Sequence, residues 1–238
     1  MSTSTTTKPP TRAATTSRPS PLTKPYLILY NALNFTLWAT CTVQGLILLA
    51  TGTPPPLIFH KVYPLLQATQ SLALLEILHS LAGLVRAPVT TTAMQVASRI
   101  LLVWGIMYPF QGGIVGASAT ATATATVAGA QTGDYAFLGC LSAWGITECI
   151  RYGFFVCQVS GLGVPAWWAW LRYNTFYVLY PLGISSECVM VVQALRPAAA
   201  VSPVYWWFLV VVLGVYVPGS YILYTHMIAQ RRKALKKK

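Results

Sequence analysis

Charged residues are scarce in this sequence, and acidic residues are the scarcest of them. Only 8% of the 238 residues are charged, four of them acidic, whereas 55% are hydrophobic. An average soluble domain has roughly 25% charged residues, which cover its surface. This composition argues against a soluble globular protein. The apolar residues also fall in long blocks, and blocks of about 18 or more residues indicate membrane-spanning helices.

The sequence also lacks the cysteine patterns of disulfide frameworks, metal sites and cysteine-dependent phosphatases. Its five cysteines are an odd number and form no Cys-x-x-Cys pair. No cysteine has an arginine six positions later, so the Cys-x5-Arg signature of phosphatases is absent. We interpret all five as small buried side chains. They are Cys41, Cys140, Cys149, Cys157 and Cys188.

Positive charge is concentrated at the two ends of the chain. The net charge is +12, and ten of the 16 Lys and Arg residues lie in the tails. Residues 1–24 are rich in Ser, Thr and Pro and lack the apolar core of a signal peptide, which predicts a disordered basic tail. Residues 230–238 form a second basic tail. This distribution favours positive-inside anchoring at an anionic membrane over a nucleic-acid groove.

Six apolar blocks lie between the tails and predict an all-α membrane domain at 25–229. Proline or glycine separates most of them, at 54–56, at Pro88, at 161–165 and at Arg196-Pro197. A low-complexity Gly/Ala/Thr stretch at 112–132 is expected to be mostly loop, with a prolonged helix as the alternative. The blocks are 26–50, 62–85, 93–110, 135–159, 166–195 and 203–228.

Charge also predicts the topology of this polytopic bundle. Six transmembrane helices place both termini on one side of the membrane, and both tails are strongly basic. The positive-inside rule therefore predicts that both termini are cytosolic.

Three of the four carboxylates fall inside predicted spans, where a charged side chain costs a few kcal/mol or more. These are Glu76, Glu148 and Glu187, whereas Asp134 is expected in a loop. Such groups are functional candidates that face the interior of a bundle. The alternative is a structural ion pair or a protonated carboxyl. Glu148 has Arg151 at i+3, whereas Glu187 has no basic residue within two turns.

Arginines near the predicted cytosolic ends of the helices form a second candidate group. Gln95 and Arg99 are one helical turn apart, Arg172 opens the fifth block and Arg86 follows the second. Guanidinium groups bind phosphate in a bidentate fork, so these arginines suit an anionic headgroup arriving from the cytosol. The alternative is that they reach out to lipid phosphates.

The segment 170–187 is the richest in reactive side chains. Tyr180 and Glu187 are seven residues apart, which places them on one helix face about 10 Å apart along the axis. Pro181 removes a backbone hydrogen bond and Gly183 removes a side chain between them. We expect a kinked helix with a phenol and a carboxylate facing one cavity. Tyr173 and Tyr177 on the same stripe are expected to pack.

Several ordered blocks of polar residues within the spans resemble the very-long-chain 3-hydroxyacyl-CoA dehydratase family, also called protein tyrosine phosphatase-like proteins. The resemblance covers almost everything from Tyr26 to the end of the sixth block. It rests on Tyr30-Asn31, Trp38, Leu75-Glu76-Ile77-Leu78-His79-Ser80, Gln95-Val96-Ala97-Ser98-Arg99, Trp104-Gly105, Ala143-Trp144, Thr147-Glu148, Ile150-Arg151-Tyr152, Arg172-Tyr173-Asn174, Tyr180-Pro181-Leu182-Gly183 and Ser186-Glu187.

The resemblance implies an activity, a location and a site. It implies dehydration of a (3R)-3-hydroxyacyl-CoA to the trans-2-enoyl-CoA, the third step of fatty-acid elongation, by a multi-pass protein of the endoplasmic reticulum membrane. Other enzymes of the elongation cycle are implied partners. Tyr180 and Glu187 match the family's proposed catalytic pair. The matching positions expected to bind substrate or support activity are Glu76, Gln95, Arg99, Arg172 and Gly183.

Dehydration needs one base and one acid, and no metal or redox cofactor. A carboxylate withdrawn from water is a stronger base, while a phenol keeps its proton near neutral pH. Glu187 is the expected base and Tyr180 the expected donor to the departing hydroxyl. The reverse assignment, or action of both groups on one oxygen, stays open. A carrier, which would predict internal repeats that the two halves do not show, and a non-catalytic scaffold are the alternatives.

Overall fold

The computed structural model describes residues 22–85, 89–117 and 129–236, and within these ranges the protein is helical. The prediction of an all-α fold is confirmed, because one isolated bridge pair, Gln111 with Val115, is the only β-type pairing there. The tail at 1–21, Arg86, the Ala-Thr run at 118–128 and the last two lysines lie outside the described residues. The helices are α1 Thr23–Ala50, α2 Pro55–Leu72, α3 Leu74–Leu81, α4 Val89–Ile100, a π-helical segment Leu101–Met107, α5 Thr132–Ser160, α6 Ala166–Asn174, α7 Phe176–Val201 and α8 Pro203–Leu235.

Four helical segments in this part of the chain are long and apolar enough to cross a bilayer, so the chain is a multi-pass membrane protein. The segment Val89–Met107 joins α4 to the π-helical segment without a break. Helix α5 is also long, but it carries Asp134, Glu148 and Arg151 and is not among the four. The four are Thr23–Ala50, Val89–Met107, Phe176–Val201 and Pro203–Leu235.

The second apolar block begins earlier than predicted and is interrupted. The helix starts at Pro55, so the interpretation of 54–56 as a connection was wrong. Proline fits the first turn of a helix because the backbone N–H there needs no helical partner. The regular helix is interrupted at Ala73, between α2 and α3, although Ala73 keeps right-handed helical dihedral angles.

The predicted break at Arg196-Pro197 is also wrong. α7 continues through Pro181 and Pro197 to Val201. One missing N–H leaves the rest of the helical hydrogen bonds in place, and such prolines are tolerated in membrane helices. The chain turns instead at Ser202, which is extended and whose side chain accepts a hydrogen bond of 3.2 Å from the Val204 N–H. Ser202 is therefore the N-cap of α8.

Asp134 lies in the first turn of α5 rather than in a loop, so its predicted position was wrong. It is fully buried and completes a capping box with Gln131. One carboxylate oxygen accepts 2.8 Å from the Gln131 N–H, and the other accepts 2.7 Å from the Gly116 N–H. A carboxylate at this position satisfies donors that the helix leaves free and favours its positive end.

α5 is the central helix of the bundle, with α1 on one side and α7 on the other, and α8 packs against α7. Glycines in α5 allow these approaches. A Cβ on Gly145 would lie 3.1 Å from the Cβ of Thr42 in α1, and one on Gly139 would lie 3.1 Å from the Cβ of Ser186 in α7. Small residues of this kind let membrane helices come into close contact.

Candidate active site

Three helices meet at the carboxylate of Glu187. Glu187 lies in α7 and is only 6% exposed. Its Oε1 accepts a hydrogen bond of 2.8 Å from the indole Nε1 of Trp144 in α5. Its Oε2 accepts one of 2.7 Å from the hydroxyl of Tyr216 in α8. Both oxygens of this carboxylate are therefore held by neutral donors.

Tyr180 lies two turns before Glu187 in the same helix, and its ring packs against α8. Its hydroxyl donates 3.1 Å to the Ser220 carbonyl, and its ring stacks on Tyr224 with centroids 5.7 Å apart. No hydrogen bond joins the Tyr180 phenol to the Glu187 carboxylate in the described structure, so their proposed joint action requires a substrate between them or a rotation of the phenol.

A network of charged side chains lies beside this pair. Glu76 in α3 receives two hydrogen bonds from the Arg151 guanidinium, of 2.6 and 2.9 Å, and a short one from the Tyr152 hydroxyl. Arg151 also pairs with Glu148 at 2.6 Å, the i+3 contact that the sequence offered. Arg99 in α4 forms a short ion pair with the other oxygen of Glu148. Two glutamates and two arginines thus join α3, α4 and α5.

Trp144 connects this network to Glu187. The Arg99 guanidinium lies 5.5 Å from the centroid of the Trp144 ring, while the indole N–H of the same side chain bonds Glu187. Glu148 follows Trp144 by one helical turn, so both project from one face of α5. Arg99 therefore contacts the face of the ring whose edge holds the carboxylate.

Gln95, Arg86 and Arg172 are the remaining polar residues that the sequence predicted for the site. Gln95 is exposed, and Arg86 lies outside the described residues. The Arg172 guanidinium lies over the rings of Phe154 and Phe155, 4.4 and 4.8 Å from their centroids, and has no carboxylate partner among the described residues. Of the arginines predicted to bind phosphate, Arg99 is already paired with Glu148, whereas Arg172 forms no ion pair with the described residues.

Gly183 occupies a close contact between α7 and α5. The glycine is buried, and a Cβ built on it would lie 3.4 Å from the Cβ of Ala143. Ala143 directly precedes Trp144, so this contact brings the indole within reach of Glu187. The role predicted for Gly183 was to clear space beside Tyr180, and the structure adds a role in helix packing.

Sequence reasoning did not select Tyr216 for the site. Tyrosine is enriched where a spanning segment meets water, and Tyr216 lies near the middle of α8. A phenol at that depth needs a hydrogen-bond partner, and this requirement is the feature of the sequence that could have indicated a buried acceptor near Tyr216. Trp144 and Arg151 appeared only within the resemblance and as the neighbour of Glu148. Among the described residues, no group of three or more His, Cys, Asp or Glu side chains is placed to hold a metal ion.

Comparisons with known proteins give the family. A family model described as "Protein tyrosine phosphatase-like protein, PTPLA" matches residues 70–237. A protein named probable very-long-chain (3R)-3-hydroxyacyl-CoA dehydratase from Schizosaccharomyces pombe is 37% identical over 89% of this chain and 93% of its own length. The very-long-chain (3R)-3-hydroxyacyl-CoA dehydratase hpo-8 from Caenorhabditis elegans is 35% identical over 88% of this chain and 94% of its own.

The similarity extends to a human protein. The human very-long-chain (3R)-3-hydroxyacyl-CoA dehydratase 2 is 34% identical over 90% of this chain and 82% of its own length. No solved structure matches the chain. A family model that covers most of the chain, together with relatives matched along nearly their whole length, shows that this chain belongs to the protein tyrosine phosphatase-like family, PTPLA.

Proposed function

We propose that this protein dehydrates long-chain (3R)-3-hydroxyacyl-CoA to trans-2-enoyl-CoA, the third step of very-long-chain fatty acid elongation. The names of relatives matched along nearly all of the chain support this activity. The observation that carries the proposal is the buried Glu187 carboxylate, held by Trp144 and Tyr216. Both contacts are donated to the carboxylate, which leaves lone pairs free to accept a proton.

The reaction follows from one base and one acid. The Glu187 carboxylate takes the proton on the carbon next to the thioester, and the electrons of that bond form the new carbon–carbon double bond. The bond from C3 to its hydroxyl breaks, and the hydroxyl leaves as water with the proton of Tyr180. Transfer of the proton from Glu187 to the resulting phenolate restores both groups. The reverse assignment of the two groups remains the alternative within the same site.

The proposed substrate has a charged headgroup and an apolar chain, which suit different parts of the protein. Arg172 has no carboxylate partner among the residues that the structure describes, and its guanidinium suits a phosphate of CoA. An acyl chain suits the lipid-facing apolar helices. The site needs no cofactor for this chemistry, because the thioester acidifies the neighbouring carbon and the acid and base are side chains.

The proposed setting is the endoplasmic reticulum membrane, with six spans and both termini in the cytosol. Six successive helical stretches support the count: α1, α2 with α3, α4 with the π-helical segment, α5, α6 with α7, and α8. The basic ends of the chain support the orientation. The resemblance to the elongation-cycle family supports the reticulum and other enzymes of that cycle as partners.

The test is conversion of a long 3-hydroxyacyl-CoA to its enoyl product by the full-length protein purified in detergent. Tyr180→Phe and Glu187→Gln nearly preserve shape, so both variants should insert and accumulate normally. We expect each to lower turnover on the order of 10²-fold or more. The double variant should be scarcely worse than either single one, because groups that act together are non-additive.

Tyr173→Phe is the matched control and should be nearly silent at equal protein abundance. Absence of enoyl product from the wild type would overturn the proposed activity. Near-normal dehydration by both Tyr180→Phe and Glu187→Gln would overturn the site while leaving the activity standing.

A further inference from the structure

Glu187 differs from the other two glutamates, Glu76 and Glu148, in the kind of partner it has. Glu76 and Glu148 are paired with arginines, whereas Glu187 is in hydrogen-bond contact with an indole and a phenol. The Trp144 and Tyr216 donors lie 43 residues before and 29 residues after it and belong to different helices. Two precise contacts from separate helices to one carboxylate require an explanation beyond charge balance.

We propose that Trp144 and Tyr216 are positioning residues that hold the Glu187 carboxylate in the orientation in which it accepts the substrate proton. The inference rests on the proposed dehydratase function and assigns two side chains to it. Neither residue needs to touch the substrate, since each acts through the oxygen that it holds.

The carboxylate at the end of a free glutamate side chain can rotate. The terminal carboxylate torsion of glutamate is broad, with no sharp preferred angle. One donor to each oxygen removes that freedom, because rotation of the carboxylate would break both hydrogen bonds. Each oxygen has about two lone-pair directions, so one direction per oxygen remains for a substrate proton. A fixed base in a buried site loses little time in unproductive orientations.

The donors themselves are fixed by the packing around them. Trp144 is only 2% exposed, and the Arg99 guanidinium covers its ring. The adjacent Ala143 packs against Gly183, which belongs to the same helix as Glu187. Tyr216 reaches the carboxylate from α8, which packs along α7. The orientation of the base is thus set by the relative position of α5, α7 and α8.

The choice of neutral donors has a chemical consequence. A contacting arginine would hold the carboxylate in an ion pair and weaken it as a base. An indole and a phenol orient the same oxygens with less effect on basicity. Arg99 acts only from across the Trp144 ring, because its close ion pair is with Glu148.

The test is a double-variant comparison on the full-length enzyme in detergent, with turnover and KM measured separately. Tyr216→Phe removes only the hydroxyl that holds Oε2. We expect it to lower kcat about 10-fold or more and to leave KM within about 2-fold, as for loss of a preorganised donor. Introduced into Glu187→Gln, the same change should lower the residual kcat less than about 2-fold, because the oriented base is already absent.

Trp144→Phe provides a second, independent variant, since it removes the N–H and keeps an aromatic ring beneath Arg99. It should lower kcat to the same extent in the wild-type background and should leave the residual kcat of Glu187→Gln almost unchanged. The matched control is Tyr221→Phe, on the same helix, with a side chain that is 71% exposed. This control should retain wild-type kcat.

Three outcomes would overturn the inference. Unchanged kcat in Tyr216→Phe would show that the carboxylate needs no such holder. An equal loss in the wild-type and Glu187→Gln backgrounds would assign Tyr216 to general stability. A rise in KM alone would make it a substrate contact. In all three the wild type is active, so the proposed function stands; an inactive wild type would remove both proposals.

Discussion

Arg151 is the side chain that joins Glu76 in α3 to Glu148 in α5. Its guanidinium donates to both oxygens of Glu76 and to Glu148, and it lies 4.1 Å from the centroid of the Tyr152 ring. Removal of charged groups from water is costly, and the cost is offset only when every group in the network has a partner. Loss of Arg151 would take a cationic partner from both Glu76 and Glu148.

The first prediction at the residue scale follows from this network. Arg151→Met should lower the free energy of unfolding by about 3 kcal/mol, because it removes the cation that the half-buried Glu76 shares with the buried Glu148. The measurement is the thermal midpoint of the purified protein in detergent. The matched control is Arg172→Met, since Arg172 lies over two phenylalanine rings and has no carboxylate partner in the described chain.

Arg172→Met should change the thermal midpoint little and should instead weaken substrate binding, through loss of a phosphate-binding charge. Added salt should weaken substrate binding to the wild type in the same direction. Equal thermal midpoints for Arg151→Met and the wild type would show that the network contributes no net stability. Collapsed turnover with unchanged apparent affinity in Arg172→Met would assign that residue to the chemistry or the packing.

At the scale of elements, the first turn of α5 is held by a capping box. Its Asp134 carboxylate ties together three parts of the chain: the helix itself, the Gln131 N-cap and the Gly116 backbone. Gly133 beside it lies so close to the Ile114 backbone that a Cβ would overlap it. Ile114 and Gly116, which precede α5 in the chain, therefore pack against the start of that helix.

The prediction for this element concerns the cap. Asp134→Ala removes the acceptor of two backbone N–H groups, one at the N-cap and one buried at Gly116. We expect a loss of about 2–3 kcal/mol in the free energy of unfolding. Comparison of thermal midpoints in detergent measures it.

The control for the cap is Thr132→Ala, an exposed position in the same first turn. This change should be almost silent. A similar loss in both variants would mean that the first turn is sensitive to any substitution and that the Asp134 contacts are not the cause, since alanine has the higher helix propensity in both cases.

On the scale of the whole molecule, the C-terminal part of α8 is anchored beside the start of α7. α8 continues to Leu235, beyond the predicted end of the membrane domain at 229. The Arg231 guanidinium donates 2.9 Å to the Asn174 side chain and lies 5.5 Å from the centroid of the Tyr177 ring. These contacts place the basic end of α8 at the same end of the bundle as the junction of α6 and α7.

The corresponding prediction is topological. Epitope tags attached at residue 1 and at residue 238 should both be digested by protease added to sealed microsomes. The reason is that two strongly basic tails on a chain of six spans both favour the cytosol. Permeabilised microsomes provide the control for tag accessibility. Protection of either tag before permeabilisation would indicate an odd number of spans or the inverted orientation.

The sequence by itself determined the membrane class, the helical class and the approximate position of most helices in the described part of the chain. Long apolar blocks have few alternatives to a helix, since a bilayer offers no partners to exposed backbone groups. Local spacing likewise offered the ion pair of Glu148 with Arg151 as the alternative reading of that glutamate, because i and i+3 are neighbours on any α-helix. Helix ends were less predictable, as Pro55 and Pro197 show, because proline is compatible with several positions in a helix.

Only the tertiary structure decided which groups surround the candidate carboxylate. Spacing placed Tyr180 and Glu187 on one face of a helix, but the structure directs the Tyr180 hydroxyl to Ser220 and gives Glu187 the donors Trp144 and Tyr216. Those donors come from two other helices, and their distance along the chain carries no information about proximity. Their meeting depends on how closely α5, α7 and α8 pack, and that is a property of complementary surfaces rather than of any local pattern.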